Sequence, residues 1–214
     1  MSEESARGAG QTHYFSERPA GAGERNVVPV VLAGRELEVV TAGGVFSAER
    51  LDLGTRVLLR EAPAPPASGH LLDLGCGWGP LALTLGLLSP AATVWAVDVN
   101  ERALELTAEN ARRAGLRRLR PVTPADVPAD VAFDAIWSNP PIRIGKEALH
   151  ELLLRWLPRL QPGAQAHLVV QRNLGADSLH AWLTSVLEGG FTVERAGSAK
   201  GYRVLRVSAT DMPA

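Results

Sequence analysis

Cysteine is nearly absent from this 214-residue sequence, since Cys76 is the only one. A single cysteine excludes an internal disulfide, and a cytoplasmic setting is the default for such a chain. The sequence also lacks apolar runs of the roughly 20 residues that span a membrane. Residues 1–5 are acidic and polar, without the basic and apolar regions of a secretory signal. The expected protein is cytoplasmic and globular.

An excess of charge of either sign is missing as well. The 22 Lys and Arg residues against 23 Asp and Glu residues give a net charge of −1, so any nucleic-acid binding must use local basic patches. His150, His167 and His180 lack the spacing of zinc ligands, so no metal site is expected. With 46% hydrophobic residues, the chain suits one globular domain.

Two segments are predicted to precede the main domain. Residues 1–25, rich in Gly, Ala, Ser and charge, should form a largely flexible extension. An aromatic island at 13–19 fits either a hydrophobic anchor or a lid over the substrate. Residues 26–69 should pack on the core of the main domain at 70–214. Their predicted parts are a hairpin of two β-prone runs, a helix and a proline-rich linker, at 27–32, 36–41, 54–61 and 62–69.

The main domain alternates strand and helix patterns, which predicts βαβ units and an α/β fold. Strands are expected near 70–75, 92–98, 118–123, 133–138, 164–171, 191–196 and 202–208. Helices are expected near 79–89, 101–114, 145–160 and 175–188. The last two strands have only a turn between them and should form an antiparallel hairpin. The prediction is a seven-stranded, mostly parallel sheet with an antiparallel last strand and helices on both faces.

A glycine-rich loop follows the first strand of this domain. Its sequence at 71–80, LLDLGCGWGP, spaces the glycines as G-x-G-x-G and not as the dinucleotide-binding G-x-G-x-x-G. Glycines let the backbone approach a ligand closely, although a plain strand-to-helix turn would also explain them. Cys76 is expected to be a small residue that fits this loop and not a nucleophile.

Asp98 ends the next strand, 23 residues after Gly75. A carboxylate there could accept hydrogen bonds from both hydroxyls of a ribose held over the loop, or it could begin the cap of the following helix. The G-x-G-x-G loop and this acid resemble the cofactor site of class I S-adenosylmethionine-dependent methyltransferases. The resemblance implies that Asp126 and Val127 read the adenine and that Asp73 orients the ammonium group of the cofactor.

The sequence Ser138-Asn139-Pro140-Pro141 follows the fourth strand. Two prolines fix the chain and remove two N–H groups, so the Asn139 amide and the Pro140 carbonyl could aim acceptor oxygens at one point. Such a pair suits an amino group on a planar system, because gripping its N–H bonds points the nitrogen lone pair at a methyl donor. The alternative is a rigid turn after a strand.

Together these motifs resemble the methyltransferase small-domain family, which includes guanine-N2 methyltransferases of small-subunit ribosomal RNA. The matching stretches are HYFS at 13–16, GVFS at 44–47, LDLGT at 51–55, the glycine loop, NPPIRIGK at 139–146 and KGYRVL at 200–205. The resemblance implies a Rossmann-like fold and methyl transfer from S-adenosylmethionine to an exocyclic amine, foremost N2 of a guanine in 16S ribosomal RNA. The implied catalytic residues are Asn139, Pro140 and Pro141, and the implied cofactor residues are Asp73, Gly75, Cys76, Gly77, Asp98, Val99, Asp126, Val127 and Asn139.

One position departs from many amino methyltransferases. Ile142 follows N-P-P where they have an aromatic residue that stacks on the target, which weighs against an adenine-N6 or a protein-glutamine substrate. Ile142, Phe15 and Phe46 are the candidates for contacting the base, with Tyr14 as a further source of aromatic surface.

For RNA phosphates, Arg143 and Lys146 are the first candidates. A denser basic cluster at 112–120 is as well explained by a solvated helix end as by an RNA patch, and Lys200, Arg203 and Arg206 are weaker candidates. Two readings stay open beside the guanine-N2 enzyme. One is methylation of another planar amine, and the other is a non-catalytic RNA-binding module of the same fold.

Overall fold

The computed structural model describes residues 25–45, 51–187 and 189–210. Its strands are β1 (Arg25–Leu32), β2 (Arg35–Ala42), β3 (His70–Leu74), β4 (Thr93–Val97), β5 (Leu119–Val122), β6 (Phe133–Ser138), β7 (Leu160–Gln171), β8 (Phe191–Ala199) and β9 (Tyr202–Ala209). Its α-helices are α1 (Leu53–Glu61), α2 (Pro80–Leu88), α3 (Glu101–Arg113), α4 (Lys146–Trp156) and α5 (Ala176–Val186). The aromatic island at 13–19 and the predicted base contacts Phe15 and Phe46 lie outside the described residues.

Seven strands form one sheet in the order β5-β4-β3-β6-β7-β9-β8. Strand β9 is antiparallel to both of its neighbours, and the pairs formed among β3 to β7 are parallel. The predicted α/β fold, the hairpin of the last two strands and the antiparallel last strand are therefore confirmed. The antiparallel strand lies between β7 and β8, one position in from the edge.

The predicted helix at 145–160 is wrong at its C-terminal end. Helix α4 stops at Trp156, a 3-10 turn follows at Leu157–Arg159, and β7 begins at Leu160, earlier than the predicted 164. Pro158 explains the difference, because proline has no N–H to continue the α-helical hydrogen bonds and its ring clashes with the preceding turn.

Two apolar cores cover the two faces of the sheet. On one face, hairpin β1–β2 and helices α1, α2 and α3 bury residues such as Leu58, Leu83 and Leu106. On the other face, α4 and α5 bury Trp156 and Leu183 against the sheet. None of the helices in the described ranges is long and apolar enough to cross a membrane.

Asn110 of α3 holds the hairpin and the glycine loop together. Its Oδ1 accepts from the Val40 N–H at 2.6 Å, and its Nδ2 donates to the carbonyls of Val40 at 2.9 Å and Trp78 at 3.0 Å. Asn110 is fully buried, and pairing the amide in this way avoids the cost of an unsatisfied buried polar group. The backbone after β3 is thereby fixed relative to α3.

Candidate active site

A cleft opens at the carboxyl edge of the sheet, where β3 and β6 lie side by side. Its volume is about 340 Å3, and it is lined by Asp52, Thr55, Asp73, Gly75, Cys76, Gly77, Trp78, Pro80, Leu81 and Asn139. The glycine loop and the N-P-P turn, 60 residues apart in sequence, meet here because the carboxyl ends of parallel strands share one edge of a sheet.

The glycine loop adopts backbone conformations that favour glycine. Gly75, Gly77 and Gly79 have φ of 80°, 58° and 93°. The N–H groups of Gly75 and Cys76 both donate to the Val97 carbonyl, at 2.8 and 3.1 Å. A Cβ on Gly75 or Gly77 would meet no protein atom closer than 3.8 Å, so it would occupy the cleft. The loop therefore leaves room for a ligand to lie against its backbone.

Asp98 fixes the far side of this loop. Its Oδ2 accepts from the Gly77 N–H and its Oδ1 from the Asn100 N–H, both at 2.9 Å. Burial raises the pKa of Asp98, and the N–H groups of Asn100, Gly77 and Val99 act in the opposite direction. The helix cap is Asn100, whose side chain accepts from the Arg102 N–H. A carboxylate has about four acceptor positions, so Asp98 keeps capacity for ligand hydroxyls.

Asp73 is a buried carboxyl group with one unsatisfied oxygen. Its Oδ2 accepts from the Ala82 N–H at 2.8 Å, whereas its Oδ1 has no hydrogen-bond partner. Burial, together with the negative charge of Asp98, raises the pKa of Asp73 to about 8. Because Asp73 lines the cleft, a cationic ligand group there would satisfy Oδ1 and favour the ionised carboxylate.

Asn139 begins the turn after β6, and its amide orientation is fixed by α1. Its Nδ2 donates to Asp52 Oδ2 at 2.9 Å and to Thr55 Oγ1 at 3.2 Å. An amide nitrogen has two protons, so both are used, and Oδ1 remains as an acceptor without a partner among the described residues. Ser138, the residue before, donates from Oγ to the Leu74 carbonyl at 2.7 Å and ties β6 to β3.

The two prolines form a tight turn beside the glycine loop. Pro141 has φ −75° and ψ 78°, and the Ile142 N–H donates to the Pro140 carbonyl at 2.8 Å, which is an inverse γ-turn. A carbonyl oxygen has two lone pairs, so Pro140 can accept one further hydrogen bond. Pro140 itself is buried and is not among the residues that line the cleft, so its pairing with Asn139 Oδ1 as a second acceptor stays a prediction.

Asp52 and Thr55 are site residues that the sequence analysis did not assign. Asp52 is also the N-cap of α1, since its side chain accepts from the Thr55 N–H at 3.1 Å. A Cβ on Gly54 would lie 2.9 Å from both Asp52 Oδ2 and the Tyr202 ring, so the start of α1 packs closely against β9. The LDLGT stretch at 51–55 could have indicated both residues, because it matches the family although the sequence suggests no role for it.

The surroundings of Cys76 disfavour a role as a nucleophile. Its side chain is buried, and its Sγ lies 3.6 Å from Thr107 Oγ1. Burial and the charges of Asp98 and Asp73 raise the pKa of the thiol well above its ordinary value. The thiolate form is therefore disfavoured, which agrees with the interpretation of Cys76 as a small residue of the loop.

Asp126 and Val127 are not among the residues that line the cleft. Asp126 is exposed and accepts from Thr123 Oγ1 at 2.6 Å, while Val127 is buried in the second core. Their loop, 123–132, follows β5 at the same edge of the sheet. Arg159 holds it by donating to the carbonyls of Pro128 and Val131, and its guanidinium lies over the rings of Phe133 and Trp156.

The predicted substrate residues after N-P-P lie on a short 3-10 turn, Ile142–Ile144, and at the start of α4. Ile142 is half-buried and packs against the second core. Arg143 and Lys146 are exposed. An aliphatic surface and two cations are thus found directly beyond Asn139.

Comparisons with known proteins give matches at the level of family and of fold. The family model described as methyltransferase small domain matches residues 36–206. The uncharacterized protein YbxB of Bacillus subtilis is 31% identical over 198 residues, which cover 91% of this chain and 96% of YbxB.

Two longer proteins are also similar. The ribosomal RNA small subunit methyltransferase C of Pseudomonas aeruginosa is 40% identical over 151 residues, so the match covers 67% of this chain but 44% of that protein. Among solved structures, the T. Thermophilus 16S rRNA N2 methyltransferase RsmC, in complex with AdoMet and guanosine, has a TM-score of 0.73 and 23% identity. That match covers 91% of this chain and 52% of the other. The chain spans about half the length of these two relatives.

Proposed function

The chain belongs to the methyltransferase small domain family, and we propose that it methylates the exocyclic N2 amine of a guanine in small-subunit ribosomal RNA. As an S-adenosylmethionine-dependent methyltransferase it uses S-adenosylmethionine as its cofactor. The observation that supports an amine substrate is the fixed amide of Asn139. Both of its protons are bound by α1, so its oxygen is held as an acceptor at the mouth of the cleft.

Three features of the cleft and its surroundings support the binding of this cofactor. The unsatisfied, buried Asp73 Oδ1 suits an ammonium group. The carboxylate of Asp98 suits the ribose hydroxyls, and the open backbone at Gly75 and Gly77 suits close approach. We assign the adenine to the loop of Asp126 and Val127. When bound, S-adenosylmethionine supplies an electrophilic methyl group.

The protein's part in the reaction is positioning. Asn139 Oδ1 and the Pro140 carbonyl each accept a hydrogen bond from one N–H group of the substrate amine. These two bonds turn the nitrogen lone pair toward the cofactor side of the cleft. Pro141 fixes the turn that carries both acceptors. The aniline-like nitrogen of a base is weakly nucleophilic because its lone pair is delocalised, so orientation replaces a strong general base. Burial already disfavours the thiolate of Cys76 and the carboxylate of Asp73.

Guanine in ribosomal RNA is the favoured substrate for two reasons. The two longer relatives named above are ribosomal RNA methyltransferases, and the name of RsmC specifies N2. Ile142 takes the position at which adenine-N6 and glutamine enzymes commonly have an aromatic residue. Such a substrate would place the protein in the cytoplasm.

Methyl transfer from tritiated S-adenosylmethionine tests this proposal. The full chain is incubated with separate pools of unmodified ribosomal RNA, small ribosomal subunits, DNA and protein, and the labelled product is digested. Label in N2-methylguanosine is the expected result. Asn139→Ala should bind the cofactor normally and lose turnover. Label in another base or in glutamine would replace the substrate, and the absence of cofactor binding would refute the enzyme itself.

A further inference from the structure

The carboxyl edge of the sheet is divided by charge at Asn139. On one side, the ends of β3, β4 and β5 and the loops after them carry three acidic side chains, namely Asp73, Asp98 and Asp126. Residues 75–79, 98–100 and 123–132 contain no Lys or Arg, and Arg155 of α4 reaches the last of these segments by donating to the Pro124 carbonyl at 2.7 Å. This acidic half coincides with the residues that we assign to the cofactor, which carries hydroxyl, ammonium and sulfonium groups.

On the other side of Asn139, the same edge carries four exposed cations. Arg143 and Lys146 follow β6, Arg172 follows β7, and Lys200 lies in the turn between β8 and β9. The Arg172 N–H donates to the Gly201 carbonyl at 2.8 Å, which places Arg172 beside the Lys200 turn. We call these four residues the basic rim.

The cations of the basic rim differ from their neighbours because they form no ion pair within the described part of the chain. Arg195 and Arg203 nearby both pair with Asp177, at 3.1 and 2.8 Å. Two further carboxylates lie on this half of the edge. Glu147 is exposed in the first turn of α4, where the helix dipole favours it, and Asp52 accepts from the Asn139 amide in the cleft. The net charge of this half of the edge is therefore positive and available to an external anion.

The second basic cluster of the chain, at 112–120, lies at the opposite edge of the sheet, where the parallel strands begin. Arg112 and Arg113 end α3, and Arg117, Arg118 and Arg120 surround the start of β5. Arg113 pairs with Glu109, and Arg120 lies over the Trp95 ring at 5.3 Å. A four-residue strand of roughly 13 Å separates this cluster from the catalytic edge, so it does not face the nucleotide in the cleft.

From this division we infer that the basic rim binds the phosphates on either side of the target nucleotide, and that the base enters the cleft at Asn139. The inference rests on the proposed RNA substrate and adds where the RNA lies. Phosphate contacts set the register of a nucleic acid without reading its sequence. The rim would therefore fix the approach of the strand, while the cleft selects the amine.

Salt-dependent RNA binding tests the inference. The probe is unmodified 16S ribosomal RNA transcribed in vitro, titrated with the full chain between low and moderate KCl. One variant combines Arg143→Gln, Lys146→Gln, Arg172→Gln and Lys200→Gln. The matched control combines Arg112→Gln, Arg117→Gln and Arg118→Gln, which are exposed cations at the opposite edge. S-adenosylmethionine affinity, measured without RNA, reports whether each variant is folded.

The basic-rim variant should lower the slope of log K against log salt by about 0.7 to 0.9 per removed cation, and so by about 3 in total. The control should keep the wild-type slope. A wild-type slope in the basic-rim variant, or a lower slope in the control variant alone, overturns the inference. Neither result contradicts the proposed RNA methyltransferase activity. Failure of the wild type to bind or label any RNA overturns both the inference and the proposed function.

Discussion

The role of Asp52 gives the sharpest prediction, because one oxygen of this side chain serves two partners. Oδ2 accepts from the Thr55 N–H as the helix cap and from Asn139 Nδ2. Asp52→Ser separates the two tasks. Serine caps helices about as well as aspartate, but its shorter side chain does not reach the Asn139 amide.

The expected loss in turnover follows from the hydrogen bond that is removed. A hydrogen bond to a charged group contributes about 1.5 to 3 kcal/mol, and each 1.4 kcal/mol is a factor of ten, so kcat should fall roughly 10- to 100-fold. Asp52→Asn keeps an acceptor oxygen without the charge and should lose only about three- to tenfold. The dissociation constant for S-adenosylmethionine should not change, because Asp52 acts on Asn139.

Single-turnover transfer of the tritiated methyl group measures these losses, with thermal melts run in parallel. Asp134→Ser is the control, since Asp134 Oδ2 accepts from the His70 N–H at 2.7 Å at the opposite edge of the sheet. It should lower stability and leave kcat unchanged. In an Asn139→Ala background, Asp52→Ser should cost no further turnover. Wild-type kcat in Asp52→Ser, or an equal loss in that background, would refute the positioning role.

Three further outcomes concern the cofactor side of the cleft. Because burial raises the pKa of Asp73 from 3.8 to about 8, the contribution of Asp73 to stability is greatest below about pH 4 and is lost as the pH rises toward 8. Asp73→Asn should remove this fall, which is at most about 1.4 kcal/mol per pH unit, in the free energy of urea unfolding measured across this pH range. The same pH dependence in the variant and the wild type would contradict the prediction. Arg159→Lys loses the planar guanidinium that holds loop 123–132. Titration calorimetry should therefore show an affinity for S-adenosylmethionine that is about tenfold weaker, with little change in kcat. An unchanged affinity would show that this loop does not contribute to cofactor binding. Gly79→Ala would place a Cβ 2.9 Å from Thr107 on a residue whose φ is 93°. Urea unfolding should show a loss of about 2 kcal/mol in stability. A variant as stable as the wild type would show that the loop rearranges to accommodate the methyl group.

The sequence was sufficient for the fold and for the meeting of the two motifs. Alternating strand and helix patterns predict parallel strands, and parallel strands bring the residues after β3 and β6 to one edge. The bounds of α2 and α3 differ from prediction by a residue at most. The predicted end of α4 is wrong because Pro158, which lies inside the predicted helix, cannot continue the α-helical hydrogen bonds.

The support of the site could not be predicted in the same way. Asp52 and Asn139 are 87 positions apart, and no spacing rule relates a helix cap to a strand end in another unit of the chain. The contact depends on how α1 packs against β9, through the close approach of Gly54 and Tyr202. Asn110, which connects the hairpin to the glycine loop, is hidden for the same reason. Its partners lie 70 and 32 positions away.

The arrangement of hydrogen bonds suits the proposed reaction, in which positioning of the amine takes the place of a strong base. The polar atoms that shape the two walls are satisfied by the protein: Thr107 Oγ1 donates to the Gly77 carbonyl at 2.9 Å, and both protons of the Asn139 amide are bound by α1. Two acceptors that line the cleft are left over. Asp73 Oδ1 lies on the side of the cleft that we assign to the cofactor, and Asn139 Oδ1 on the side that we assign to the substrate. A fixed acceptor needs no reorganisation when it meets its partner. These two atoms can therefore orient the cofactor and the amine for transfer without a strong general base.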